Sequence, residues 1–192
     1  MSGPRAWVAV GRTPALVLGR SQHALRPDTA LRVRRRASGG GAVLTGPWML
    51  RALLRLPRAH PLARGGPTTL ARWFGGLHLP WLRGLGIADA ELYAGPFEDH
   101  WACFLGRGPG EVLVDDRKLV GIAQAWHRDR ILLWSATLLE PSPWARLGEA
   151  FGRSEAADAL AARTISARQC VGGRVEPAAW VASLREVLAA RA

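Results

Sequence analysis

One amine stands out in this sequence. Of 26 basic side chains only one is a lysine, Lys118; the rest are Arg. Arginine stays charged and grips planar anions, whereas lysine is a compact point charge whose amine can deprotonate when buried. Heavy Ala, Gly, Pro and Arg usage suggests a coding bias under which most basic positions became Arg; the surviving lysine is either left by chance or marks a position that needs an amine. It lies in Glu111-Val112-Leu113-Val114-Asp115-Asp116-Arg117-Lys118-Leu119-Val120-Gly121-Ile122-Ala123-Gln124, just past a turn. Gly121 weakens the following strand but admits a ligand or a second backbone. A lysine so placed can bind a carboxylate and a phosphate together, or lower the pKa of a nearby thiol. A solvated turn lysine is the ordinary alternative.

A second candidate is Arg34-Arg35-Arg36-Ala37-Ser38-Gly39-Gly40-Gly41-Ala42-Val43. Three successive glycines let the backbone approach a ligand and turn its N–H groups inward. The guanidiniums can fork onto phosphate or carboxylate. The spacing fits neither a Walker A loop nor a dinucleotide fingerprint. A flexible turn beside a solvated basic strand remains the alternative. A third candidate is Cys103, within Trp101-Ala102-Cys103-Phe104. An apolar cysteine is usually a small buried hydrophobe, but a lysine close in space would make it a nucleophile. His23, His60, His78, His100 and His127 show no metal-ligand spacing, so no metal site is expected.

Elements must position these groups. Ala6–Val10, Ala15–Leu18, Ala30–Arg34, Ala42–Leu44 and Trp48–Leu56 read as strands, with turn signals at Gly11–Pro14 and Gly46-Pro47. Gly65-Gly66-Pro67 opens a helix carrying Leu70, Trp73, Phe74 and Leu77 at helical spacing. Glu91–Ala94 and Ala102–Leu105 read as short strands, Glu111–Val114 and Leu119–His127 as a hairpin, and Ile131–Leu139 as a strong strand. Pro143–Phe151, about Glu155–Ala162, and Pro177–Arg191 read as helices. Strands first and helices late give an α+β fold with a mixed, largely antiparallel sheet flanked by helices.

The 192 residues suit a single domain, with a motif-bearing core over about 6–150 and a helical part over 151–192. Two distant cysteines and no membrane-length apolar run predict a cytoplasmic protein without disulfides. The net charge of +11 favours acidic partners. No nucleic-acid-binding motif accompanies it, so neither nucleic acid nor membrane is expected as a partner.

The glycine segment resembles the RRxSGGGAV signature of lipoate–protein ligases, and Asp115–Gln124 resembles their VDGRKxxGxAQ segment. Pro14–Gln22 is similar to their PxLxLGxxQ strand and turn. Together the three identify a member of the biotin/lipoate protein ligase family. Leu44-Thr45-Gly46, Trp134–Thr137 and Asp116 depart from the family pattern. The resemblance implies the fold shared with biotin ligases and class II aminoacyl-tRNA synthetases. It implies that lipoate or octanoate, activated with ATP and Mg²⁺ as an acyl-adenylate, passes to a lysine of a lipoyl domain or a glycine-cleavage H-type protein, and it allows for an accessory protein as a further partner. Lys118 would contact the acyl carbonyl and the α-phosphate. Arg35, Arg36, Ser38, Gly39, Gly40, Gly41, Ala42, Gly121 and Ala123 would bind the acyl-adenylate. The octanoyltransferase branch implies an ATP-independent alternative with Cys103 as thioester nucleophile. A non-catalytic relative that binds acyl ligand or lipoyl domain is the third reading.

Overall fold

The computed structural model describes residues 5–191. Among these described residues, nine strands form two sheets. Strands β1 (Arg5–Val10), β5 (Met49–Pro57), β9 (Arg130–Leu138), β8 (Arg117–Trp126), β7 (Val112–Val114) and β6 (Glu91–Leu92) lie side by side in that order, every neighbouring pair antiparallel. A smaller sheet has β2 (Ala15–Leu18) between a parallel β3 (Arg32–Arg35) and an antiparallel β4 (Val43–Thr45). The α+β, largely antiparallel expectation holds. The turn at residues 11–14 makes no hairpin, because its flanking strands join different sheets; Gly46-Pro47 returns the chain to the large sheet.

Strand alternation gives each sheet two unlike faces. On one face of the large sheet Leu50, Ala52, Leu54 and Leu56 of β5 lie beside Leu133 and Ile131 of β9, all fully buried. Against this face pack α1 (Gly66–Gly76), α2 (His78–Gly84) and α6 (Pro177–Ala189), through Leu70, Phe74, Trp81, Trp180, Leu184 and Leu188. Burying side chains of this size stabilises by roughly 1.5–3 kcal/mol each. The other face turns Met49, Arg51, Trp134, Ala136, Gly121 and Ala123 toward the small sheet, and that gap holds part of the candidate site. A second core, from Leu16, Leu44, Phe104, Trp144 and Leu160, joins the small sheet to α3 (Trp144–Glu149) and α4 (Ala156–Arg163).

Three elements differ from expectation. Ala102–Leu105 is not a strand; only Ala102 bridges to Ala42, because carbonyls of this segment turn to a side chain described below. Helix α2 follows α1 with only Leu77 between, and Pro80 in its first turn hides it from a breaker-based reading. Helix α5 (Ala167–Val171) is a single turn that starts from a Ser166/Gln169 capping box. Strand β3 is exposed along its length because it lies at a sheet edge.

His78 opens α2 fully buried. Its Nδ1 lies 3.0 Å from the Phe74 carbonyl, which can only accept, so Nδ1 carries the proton. Nε2 then accepts from the Ser135 hydroxyl at 3.0 Å. Burial lowers the His78 pKa from its ordinary 6.5 to about 4, against the opposing pull of the Phe74 and Gly75 backbone bonds. The unfolded chain therefore binds this proton first, and stability is lost as pH falls from 6.5 toward 4. Between pH 7.5 and 5 the wild type should lose roughly 2 kcal/mol from this group. Urea midpoints across that range, compared with His78→Gln, check this; equal acid sensitivity in both proteins would contradict it.

Candidate active site

Lys118 is the second residue of β8 and is 1% exposed. A buried ammonium needs acceptors for its three protons. Nζ has three: the Cys103 carbonyl at 2.8 Å, the Gly106 carbonyl, and Oε2 of Glu111 at 2.7 Å. Glu111 is 4% exposed. Its Oε2 also accepts from the Gly108 amide at 2.8 Å, and its Oε1 accepts from the Ile122 amide at 3.4 Å. Burial pushes the Glu111 carboxyl above its ordinary value, and the adjacent Lys118 charge pulls it back. The pair thus draws the 103–108 loop onto the start of β8.

The turn before Lys118 brings it there. Asp115 and Asp116 have φ of 50° and 57°, the left-handed pair of a two-residue hairpin turn. Asp116 holds the strained conformation and is clasped by Arg107, with N···O distances of 2.6 and 3.0 Å to its carboxylate. Thus the same loop is tied to the hairpin at Lys118 and at its turn.

The glycine loop faces this assembly. Gly41 must be glycine, because a Cβ there would lie 2.5 Å from the His100 carbonyl oxygen and 2.6 Å from the Cys103 nitrogen. That contact is locked by two backbone bonds, from Ala42 to the Trp101 carbonyl (2.7 Å) and from Cys103 to the Ala42 carbonyl (2.8 Å). Arg36 braces the loop, donating to the carbonyls of Gly39 and Gly41 at 2.8 Å each, while Arg35 donates to the Gly19 carbonyl at 3.0 Å.

Two cavities meet here. The more polar one, of about 370 Å³, is walled by Gly39–Gly41, the segments around residues 97–100 and 106–109, the first turn of α1 and Lys118. An inter-sheet one of about 310 Å³ is lined by Val17, Val43, Met49, Phe104, Trp134 and Gly121, with Arg35 and Arg36 at its border. Cys103, Ile122 and Ala123 belong to both. Gly121 keeps the second cavity open rather than avoiding a clash, since a Cβ there would meet nothing nearer than 3.5 Å. Most residues singled out from sequence therefore converge: Lys118, Cys103, Gly39, Gly40, Gly41, Arg35, Arg36, Gly121 and Ala123. Ser38 and Ala42 lie behind the walls, buried, and Ala42 acts through its backbone. Glu111, Arg107 and the carbonyls of Cys103 and Gly106 went unnoticed in the sequence. Glu111 had a signal: a carboxylate opening an otherwise apolar strand, in the segment of the lone lysine.

A family profile described as the lipoyl protein ligase A/B catalytic domain matches residues 3–188. The chain belongs to this lipoyl protein ligase family. Solved structures agree on the fold. A lipoate-protein ligase A bound with ATP superposes with a TM-score of 0.69 at 17% identity, over 96% of this chain and 69% of that one. The bipartite lipoate protein ligase of Thermoplasma acidophilum, described with its E2 lipoyl domain, gives 0.70 at 17%, over 97% and 69%. P. falciparum LipL1 in complex with lipoate gives 0.67 at 13%, over 100% and 48%. A search of curated proteins found no match. Among the described residues of this lipoyl ligase domain, no group of three or more His, Cys, Asp or Glu could hold a metal ion, and no helix is long and apolar enough to cross a membrane.

The buried pair has a stability consequence. Lys118→Met leaves Glu111 buried without its counter-charge and should cost about 3–5 kcal/mol in urea unfolding. The double variant Lys118→Met/Glu111→Leu should recover most of that loss. A single variant within about 1 kcal/mol of wild type would show that the pair does not hold the loop.

Proposed function

We propose that this chain is an acyl-protein ligase that attaches lipoate or octanoate to a lysine of a lipoyl-type acceptor domain through an acyl-adenylate. The observation that carries this is the junction of the two cavities. An acyl chain in the inter-sheet cavity would place its carboxyl end beside Cys103 and Ala123, at the border of the polar cavity where Lys118 sits. The nucleotide would occupy the polar cavity, where the glycine loop permits close approach and the N-terminal turn of α1 favours negative charge. Glu98 and Asp99 lie in that wall. A magnesium ion whose shell is completed by nucleotide phosphates needs only one or two such carboxylates. When bound, it would neutralise phosphate charge.

Lys118 would stabilise the charge developing on the acyl and phosphate oxygens. Its protons are all engaged in this structure, so a ligand oxygen must replace one of its carbonyl partners. The 103–106 segment would give way, with Glu111 holding the ammonium in place. Arg36 would keep the glycine loop in shape rather than contact the ligand. An acidic lipoyl domain or H-type acceptor suits the net charge of +11.

Cys103 favours a second reading, because it lines both cavities. Its thiolate would attack the carbonyl of a carrier-bound acyl thioester, and the carrier thiol would leave with a proton. The acceptor amine would then take the acyl group and release the thiolate.

Intact mass spectrometry of a lipoyl domain tests both readings. One arm holds ATP, magnesium and lipoate or octanoate; the other holds octanoyl carrier protein without ATP. The ligase reading predicts a mass gain in the first arm, reduced about 10²- to 10³-fold by Lys118→Ala and retained by Cys103→Ser. Gain confined to the second arm, and lost in Cys103→Ser, would establish the thioester route. Absence of gain in both arms contradicts both and leaves a ligand-binding relative.

A further inference from the structure

The inter-sheet cavity is apolar along most of its length but not at its far end. Arg34 and Arg51 line it there, and no Asp or Glu lines it anywhere among the described residues. The two guanidiniums come from opposite walls. Arg34 lies on edge strand β3, opposite Val17 in the register of the small sheet. Arg51 lies on β5, in the row that runs through Ala136 of β9 to Gly121 of β8. The Nε of Arg51 is buried and has no hydrogen-bond partner. Its guanidinium lies 5.8 Å from the ring of Trp7.

Arg51 is half-buried and Arg34 exposed, so together they put two positive charges at one end of an otherwise apolar space, where an anion would be attracted. Burial lowers the Arg51 pKa, and the charge of Arg34 lowers it further. The other two arginines at this cavity turn toward the junction: Arg35 donates to the Gly19 carbonyl, and Arg36 donates through one Nη to those of Gly39 and Gly41, its other Nη being buried without a partner. Arg34 and Arg51 make no ion pair among the described residues. From Gly121 to Arg51 is two strand spacings, about 10 Å. That is close to the length of an extended eight-carbon chain.

We propose that this cavity takes a medium-chain acyl group ending in an anion, an α,ω-dicarboxylate such as octanedioate, with its far carboxylate between Arg34 and Arg51. The proposal rests on the acyl-binding reading above, keeps its chain length and replaces the uncharged tail of lipoate or octanoate with a second carboxylate. One carboxyl would be activated at the Lys118 end while the other stays bound. The guanidinium fork suits a carboxylate, and its buried Nε would gain the acceptor it lacks.

Isothermal titration of the whole chain with octanoate, lipoate and octanedioate tests this. Octanedioate should bind about ten- to a hundred-fold more tightly than octanoate. Arg51→Leu should remove that preference and leave octanoate binding equal or tighter. Arg34→Leu, at an exposed strand edge, should weaken octanedioate alone and guards against a folding defect in the first variant. Octanoate or lipoate binding as tightly as octanedioate in the wild type would overturn the proposal while the acyl reading stands. Binding of none of the three would overturn both.

Discussion

A lysine ammonium taken out of water has to be held, and the way Lys118 is held organises the whole site. Its partners come from three places in the chain: the Cys103 and Gly106 carbonyls and the Glu111 carboxylate. Desolvating both charges costs several kcal/mol per ion, and additional hydrogen bonds must offset it. Glu111 supplies them by also accepting from Gly108 and Ile122. The loop therefore cannot form a regular strand, because two of its carbonyls are committed to the lysine. The result is a charge poised at a wall rather than one reaching into solvent.

That wall stands where two architectures meet. The large sheet spends one face on a helix-covered core and keeps the other for the small sheet. The small sheet and its β3–β4 connection supply the arginine strand and the glycine loop in one continuous stretch. Gly41 locks that stretch against the loop that Lys118 holds. Cys103 sits at the crossing, with its amide bound to Ala42, its carbonyl bound to Lys118, and its residue bordering both cavities. Any chemistry at this junction is governed by how far the 103–106 segment can yield.

Much of this was legible in the sequence, for physical reasons. Strands with period-two alternation and glycine or proline bounds, such as β2, β5 and β9, emerged almost to the residue. The lone Lys118 and the Gly39–Gly41 run announced themselves by type. Less legible was what depends on distance in space. The pairing of Asp116 with Arg107 explains an aspartate in a left-handed turn, but no local signal names its partner. The Ala102–Leu105 run has strand composition, and only the buried lysine overrides it. Helix α2 was hidden by Pro80, which is tolerated because it lies in the first turn. The Arg34–Arg51 pairing needs two sheets to face each other, which no one-dimensional pattern states.

In the proposed reaction Lys118 would exchange a backbone partner for the reacting end of an acyl ligand at the cavity junction. The most direct measurement is a crystal structure with a non-hydrolysable acyl-adenylate analogue. Its carbonyl oxygen should lie within hydrogen-bond reach of Lys118 Nζ, its chain between the two sheets and its nucleoside against Gly39–Gly41. An analogue bound elsewhere, or a Lys118 still saturated by Cys103, Gly106 and Glu111 with the ligand out of reach, would contradict it.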